Sequence, residues 1–197
     1  MPKLIPSDAD TKETMEKLIS LVHSMDLDTT LVLLTARDEE ELASKPGFIP
    51  PYISTRQERL EKYFHEHPEN RFYASKAKEN GILNHIFTSG PCKEHDDFFE
   101  ETLVKYKKFA EGMAELDKTI KLPYAAGKEV TLADIHMVPW VSHLLMSVGT
   151  SDPADWSILE AHMQKSVPDF HVGKKVKTWW NIFRERKSFN KVFKPLR

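Results

Sequence analysis

The feature that most constrains the fold of this chain is the segment 130–135, with the sequence VTLADI. Thr131 is predicted to cap the start of a helix, its hydroxyl accepting a hydrogen bond from a backbone N–H of the first turn. Asp134, three residues later, is predicted to accept from the N–H of Thr131, which completes a capping box. Val130 and Ile135 take the positions of a hydrophobic staple. We therefore assign Thr131 and Asp134 to the fold and not to the chemistry.

The helix that follows, from Leu132 to about Val148, carries apolar residues on most sides. A helix of this kind is buried in a domain core, so we predict a central buried helix at about 131–148. Pro139 removes one backbone hydrogen bond within it and is expected to kink it. Because no stretch alternates polar and apolar residues for long enough to indicate a sheet, the predicted fold class is all-α, a helical bundle.

The wider run 122–145 contains YAAG at 124–127, TLAD at 131–134 and PW at 139–140. This combination resembles the sixth-helix region of the glutathione S-transferase superfamily, where a similar pattern opens the central helix of the C-terminal domain. The segment LIPSD at 4–8, with the helical pattern after it, is similar to the beginning of that domain. The resemblance implies an all-helical bundle of the glutathione S-transferase C-terminal type.

In this superfamily a thioredoxin-like domain precedes the bundle and holds the glutathione site. We expect that domain to be absent, which leaves two alternatives: a fragment, or a protein that works without it. Residues 1–197 are then one helical domain with an enlarged insertion at 37–89. Within the insertion, KPGFIPP at 45–51 is predicted to be a loop. A short helix is predicted from Thr55 to about His67.

Composition indicates an ordinary globular protein, with 40% hydrophobic and 29% charged residues. No apolar run approaches the roughly 20 residues that span a bilayer, and the first residues lack the apolar core of a signal peptide. The single cysteine, Cys92, is taken to exclude an internal disulfide and a cysteine zinc site, and it fits a reducing compartment. We expect a cytoplasmic protein that does not associate with membranes.

The basic end of the chain has two interpretations. Residues 174–197 carry nine Lys or Arg and one acid, Glu185. Such a segment can bind nucleic acid or anionic lipid, or it can be the solvated face of a last helix. Trp179, Trp180, Phe183, Phe189 and Phe193 lie among the charges. We expect these aromatic residues to dock the segment onto the bundle, and we expect no specific nucleic-acid binding.

Local motifs for chemistry are absent from the sequence. It has no HExxH, no phosphate-binding loop, no dinucleotide-binding glycine turn and no GxSxG. His65 and His67 flank Glu66, but residues two apart point to different sides of a helix. We therefore predict no metal site, and the catalytic residues stay unknown at this stage.

The candidate substrate site rests on helix positions that border the electrophile pocket in the resembling family. His23 lies on the first helix, while His136 and His143 lie seven apart on the central helix and share a face. Each histidine is either a polar group among apolar walls or an ordinary helix histidine satisfied by a carbonyl or water. The apolar walls, which are alternatively plain core, are predicted to be Met15, Ile19, Trp140 and Met146.

The resemblance implies a glutathione-linked transferase or isomerase, with glutathione as co-substrate and a hydrophobic electrophile as substrate. The reaction is conjugation, or thiol-assisted isomerisation of an activated double bond, and the general look of the sequence is that of fungal proteins of secondary metabolism. The alternative is a non-catalytic interaction module, because helical domains of this type also assemble translation factors and aminoacyl-tRNA synthetases.

A homodimer is expected from the first helices. The apolar stripe at Met15, Leu18, Val22 and Met25, continued by Leu27, Leu31 and Leu34, offers more apolar positions than one bundle seam needs. Exposed in a monomer it would exceed the apolar patches usual for such proteins. Pairing of residues 10–34 with their copy would bury it. The alternative is that the 37–89 insertion covers the stripe within one chain.

Overall fold

The computed structural model describes residues 4–192, and its regular secondary structure in that range is helical throughout, with no β-strand. The all-α prediction is confirmed. Among the helices in this range, none combines the length and apolar character that a membrane crossing requires. The α-helices of the described part of the chain are α1 (Ala9–Val22), α2 (Leu31–Leu34), α3 (Glu39–Ala43), α4 (Ile49–Glu66), α5 (Arg71–Thr88), α6 (Lys93–Thr119), α7 (Leu132–Ser147), α8 (Ser157–Gln164), α9 (Lys174–Arg184) and α10 (Lys187–Val192).

The chain divides into two compact units. The first contains the residues up to Val32 together with those from Val104 onward, and the second contains Leu33–Leu103. The boundaries therefore fall within α2 and within α6. The interpretation of residues 1–197 as one helical domain with an insertion at 37–89 stays a prediction.

The core of the first unit surrounds α7. Seven residues of this helix are buried, and α1 packs against it. The α1 stripe is part of this core, since Met15 is 3% exposed and Leu18 is fully buried. Two residues of the stripe are not buried: Met25 is 86% exposed, and Leu34, which belongs to the second unit, is half-buried. The burial of the stripe within the chain removes the reason given above for a homodimer, and the oligomeric state stays a prediction.

The start of α7 has the predicted capping box. The Asp134 carboxylate is fully buried and accepts from the N–H of Thr131 at 2.8 Å and from its hydroxyl at 3.2 Å. It also accepts from the N–H of Ala125 and from the indole N–H of Trp179, both at 2.8 Å. One side chain thus joins α7, the turn before it and α9.

The end of α6 and the start of α9 cap each other. Asp117 accepts from the N–H of Val176 at 2.9 Å, which satisfies a free donor in the first turn of α9. Lys175 donates to the carbonyl oxygens of Lys118 and Ile120 at 3.0 and 2.8 Å, where α6 ends. Gly173 makes this approach possible, because a Cβ there would lie 2.1 Å from the Asp117 carboxyl carbon.

The basic segment docks onto the first unit. Trp179, Trp180 and Phe183 of α9 are buried, so the predicted docking is confirmed for these residues. Part of the positive charge of this segment is also neutralised within the chain, since Lys177 forms an ion pair with Glu160 at 2.8 Å. Phe193, with Lys194 and Arg197, lies outside the described residues.

In the second unit the consecutive helices α4 and α5 pack against each other as an antiparallel pair, and Ile49 and Ile53 of α4 are buried. The loop predicted at 45–51 is wrong in its second half. Proline is well suited to the first turn of a helix, where no N–H partner is needed, so α4 begins at Ile49 instead of at Thr55.

Candidate functional site

The candidate site lies in the first unit, where the chain leaves α1 and runs along α7. His23 is the C-terminal cap residue of α1, with its N–H donating to the Ile19 carbonyl at 3.2 Å. Three side-chain hydrogen bonds tie the segment 23–29 to α7. They join His23 Nε2 to His136 Nδ1 at 2.8 Å, Trp140 Nε1–H to the Leu27 carbonyl at 2.9 Å, and Thr29 Oγ1 to His143 Nδ1 at 2.6 Å.

The Leu27 side chain holds segment 23–29 against α6. Its side chain is buried against α6 at Gly112, where an added Cβ would lie 2.9 Å from two Leu27 carbon atoms. The absence of a side chain at Gly112 therefore lets Leu27 approach the helix backbone. The position of the Leu27 carbonyl in turn fixes the orientation of the Trp140 indole.

A groove of about 460 Å³ opens between the end of α1 and α7. Its floor and sides are mostly apolar, with a few polar groups at defined positions, as in small-molecule sites. The residues that line it are Val22, His23, Ser24, Met25, Leu27, Asp28, Thr29, Ile135, His136, Pro139 and Trp140.

The two histidines in the groove form a direct pair. Their rings are T-shaped, with centroids 5.0 Å apart and an interplanar angle of 83°. In the neutral state, His23 Nε2 and His136 Nδ1 cannot both carry a hydrogen, so one ring donates and the other accepts. The outer nitrogens, His23 Nδ1 and His136 Nε2, then have opposite roles. One accepts a proton while the other donates. The two roles reverse when the shared proton crosses, the outer nitrogen that carried a proton releases it, and the other outer nitrogen gains one, so that both rings stay neutral.

Of the seven residues predicted for the substrate site, three line the groove: His23, His136 and Trp140. The indole N–H of Trp140 is taken by the Leu27 carbonyl, so this side chain offers the groove an apolar face and not a donor. The other four residues lie elsewhere. Met15 is in the core and Ile19 packs against it, while His143 and Met146 are exposed on α7 outside the groove lining.

The polar residues that follow α1 were not among the residues predicted for the substrate site. Asp28 and Thr29 line the groove, and Asp28 Oδ1 accepts from the N–H and the hydroxyl of Thr30 at 2.8 and 2.9 Å. This is the turn that an Asp followed by two Thr favours, so the sequence DTT at 28–30 was an available signal. Among the residues that the structure describes, Asp28 is the only acid in the groove lining, and no Lys or Arg lines it. The groove therefore suits a ligand that is largely apolar and carries little charge.

Comparison of the chain with protein-family models, with curated proteins and with solved structures gives no match.

Proposed function

We propose that this chain is a glutathione-linked transferase or isomerase whose α1–α7 groove binds a hydrophobic electrophile. We further propose that the first unit adopts the bundle of the glutathione S-transferase C-terminal domain, with α7 as its central helix. The buried capping box at the start of α7 supports the fold proposal, because it lies where the resembling sequence pattern begins that helix.

The observation that carries the functional proposal is the His23–His136 pair inside a mostly apolar groove. An apolar wall binds an uncharged conjugated substrate through the area removed from water, about 25 cal/mol per Å². The histidine pair supplies what that wall cannot, namely a proton acceptor and a proton donor at its two outer nitrogens.

The reaction is written with glutathione as the thiol. The S–H proton passes to the outer nitrogen that accepts, and the thiolate adds to the β-carbon of a conjugated carbonyl compound. The C=C π electrons move to the carbonyl oxygen, which accepts a hydrogen bond from the outer nitrogen that donates. In conjugation the α-carbon then takes the proton back from the outer nitrogen that accepted it, which restores the neutral pair. In isomerisation the new single bond rotates, the thiolate is eliminated, and the proton returns to sulfur.

Glutathione itself carries two carboxylates, and within residues 4–192 no Lys or Arg lines the groove to bind them. We therefore propose that the groove holds the electrophile and that glutathione reaches its open side from solution or from a partner domain. Saturation with the electrophile is then expected at lower concentration than saturation with glutathione.

Steady-state kinetics with glutathione and an α,β-unsaturated ketone test the proposal. The double variant His23→Gln/His136→Gln is expected to lower kcat by about 100-fold, the scale of general acid–base catalysis by a positioned side chain. The matched control is His67→Gln, an exposed histidine of the other unit, which should leave the rate unchanged.

Two results would contradict the proposal. One is a rate no higher than that of glutathione alone with each of several ketones of different size. The other is a rate equal in the wild type and the double variant. Retention on an immobilised glutathione conjugate of the electrophile, with elution by the free conjugate, separates the enzyme from the interaction module, for which co-purifying protein or RNA is expected instead.

A further inference from the structure

A second set of chemically active side chains lies in the second unit, where α5 ends and α6 begins. His85 is in the last turn of α5, Cys92 is in the connection, and Glu94 is in the first turn of α6. One ligand atom from each of the three lies within 4.8 Å of the other two. The spacing is short in sequence, so the α5–α6 turn alone brings an imidazole, a thiol and a carboxylate together.

We propose that His85, Cys92 and Glu94 form a binding site for Zn²⁺ or a divalent cation of the same class. Imidazole nitrogen, thiolate sulfur and carboxylate oxygen are the three ligand types that zinc takes from proteins. Three protein ligands with a fourth position left to solvent is the arrangement of an open zinc site. The site departs from the prediction of no metal, which rested on the histidines of segment 65–67 and on the presence of only one cysteine.

The distances between the ligand atoms are close to those of a zinc site, so small side-chain rotations are enough to complete it. Zinc bonds of 2.0–2.3 Å in a tetrahedron place ligand atoms about 3.5 Å apart. Cys92 Sγ is 4.0 Å from His85 Nε2, so this pair closes by about half an ångström. His85 and Glu94 are exposed and Cys92 is half-buried, which gives a cation access from solvent and leaves the side chains room to adjust.

The orientation of His85 is set by its other ring nitrogen. His85 Nδ1 shares a hydrogen bond of 2.8 Å with the hydroxyl of Ser89, the C-terminal cap residue of α5. This leaves Nε2 directed at Cys92, as outer hydrogen bonds orient histidine ligands in metal sites.

The fourth position has a groove beside it. His85 and Glu94 are both on the wall of a groove of about 510 Å³ that also contains Ile82, Phe98 and Asp97. A cation bound to the three ligands sits at the edge of this groove. On binding, the S–H bond of Cys92 breaks, its proton goes to the buffer, and a sulfur–metal bond forms.

The test uses the full chain with Co²⁺ as a spectroscopic substitute for Zn²⁺. One equivalent of Co²⁺ is expected to bind and to give the near-ultraviolet charge-transfer band of a thiolate ligand, and Zn²⁺ should displace it. Cys92→Ser is expected to lose the band. His85→Ala and Glu94→Gln should each weaken binding at least tenfold, and Ser89→Ala should weaken it by about tenfold. His67→Ala is the matched control and should bind as the wild type does.

A second measurement does not depend on the folding of any variant. Because Cys92 is the single cysteine of the chain, alkylation of the wild-type protein followed by mass spectrometry reports on this thiol alone. Equimolar Zn²⁺ is expected to slow its alkylation at least tenfold. Unchanged alkylation would overturn the proposal. So would Co²⁺ binding without the thiolate band, which would indicate a nitrogen site such as the His23–His136 pair.

Discussion

Replacement of Asp134 is expected to have the largest effect on stability of any single polar substitution in the first unit. The buried carboxylate accepts four hydrogen bonds, three of them from N–H donors at Ala125, Thr131 and Trp179. In Asp134→Ala those three donors lose their acceptor. Each unpaired buried donor costs about 1–3 kcal/mol, and some are recovered by water in the vacated space. We expect a loss of about 4 kcal/mol in the free energy of unfolding.

Two further variants make the prediction quantitative. Asp134→Asn keeps the volume but replaces one oxygen by a donor, so the Thr131 N–H stays unpaired and the remaining bonds lose their ionic partner. We expect it to cost about 2–3 kcal/mol. Thr131→Val removes the hydroxyl alone and should cost about 1 kcal/mol, the usual price of a lost helix cap.

Urea unfolding followed by tryptophan fluorescence measures these losses where they arise, because Trp140, Trp156, Trp179 and Trp180 all lie in the first unit. The midpoints are expected to fall in the order wild type, Thr131→Val, Asp134→Asn and Asp134→Ala. An Asp134→Asn midpoint equal to that of the wild type, at an unchanged m-value, would refute the assignment of Asp134 as the joint of the unit.

Three other predictions follow from contacts of the same unit. Gly173→Ala should destabilise it by about 2–3 kcal/mol and Asp117→Ala by about 1 kcal/mol, with the double variant less destabilised than their sum, since removal of the carboxylate relieves part of the clash at Gly173; denaturation of the four proteins forms the cycle. Burial raises the pKa of Glu160. Hydrogen bonds from Lys177 and from the Val172 N–H, together with the charges of Lys177 and His171, lower the pKa by more than burial raises it, so the pKa of Glu160 is below its ordinary value. The stability that Glu160 contributes is therefore present above about pH 4 and lost as the pH falls through the folded-state pKa; Glu160→Gln should flatten the acid limb of a stability–pH curve, whereas Glu58→Gln should not. The basic segment should show no tight binding to RNA or DNA in a filter assay at physiological salt, and sub-micromolar, sequence-preferring binding would contradict this.

The sequence was sufficient where the physical cause is local. The capping box at the start of α7 depends on a three-residue spacing, so the pairing of Asp134 with Thr131 was predictable. Its bonds to Ala125 and Trp179 were not, because they depend on where the preceding turn and α9 pack. The N-terminal boundary of α4 was misplaced for a different reason, since a proline pair indicates a loop and a helix start equally well.

The candidate site shows the same division. His23 and His136 were predicted from the helices that border the pocket in the resembling family, but no local pattern shows that residues 113 positions apart are joined by a hydrogen bond. The packing of Leu27 against Gly112, which fixes the position of segment 23–29, also forms only when α6 is in place. The apolar stripe of α1 was recognised correctly as a stripe, but its partner is α7 of the same chain.

The most direct test of the proposed ligand site is chemical-shift mapping of the labelled protein during titration with a glutathione conjugate of a hydrophobic electrophile. The imidazole signals of His23 and His136 and the indole N–H of Trp140 are expected to shift together and to saturate at one equivalent. Signals of α9 and α10 should stay in place. Shifts confined to α9 and α10, with the two imidazoles unchanged, would contradict the proposal that the α1–α7 groove binds the ligand.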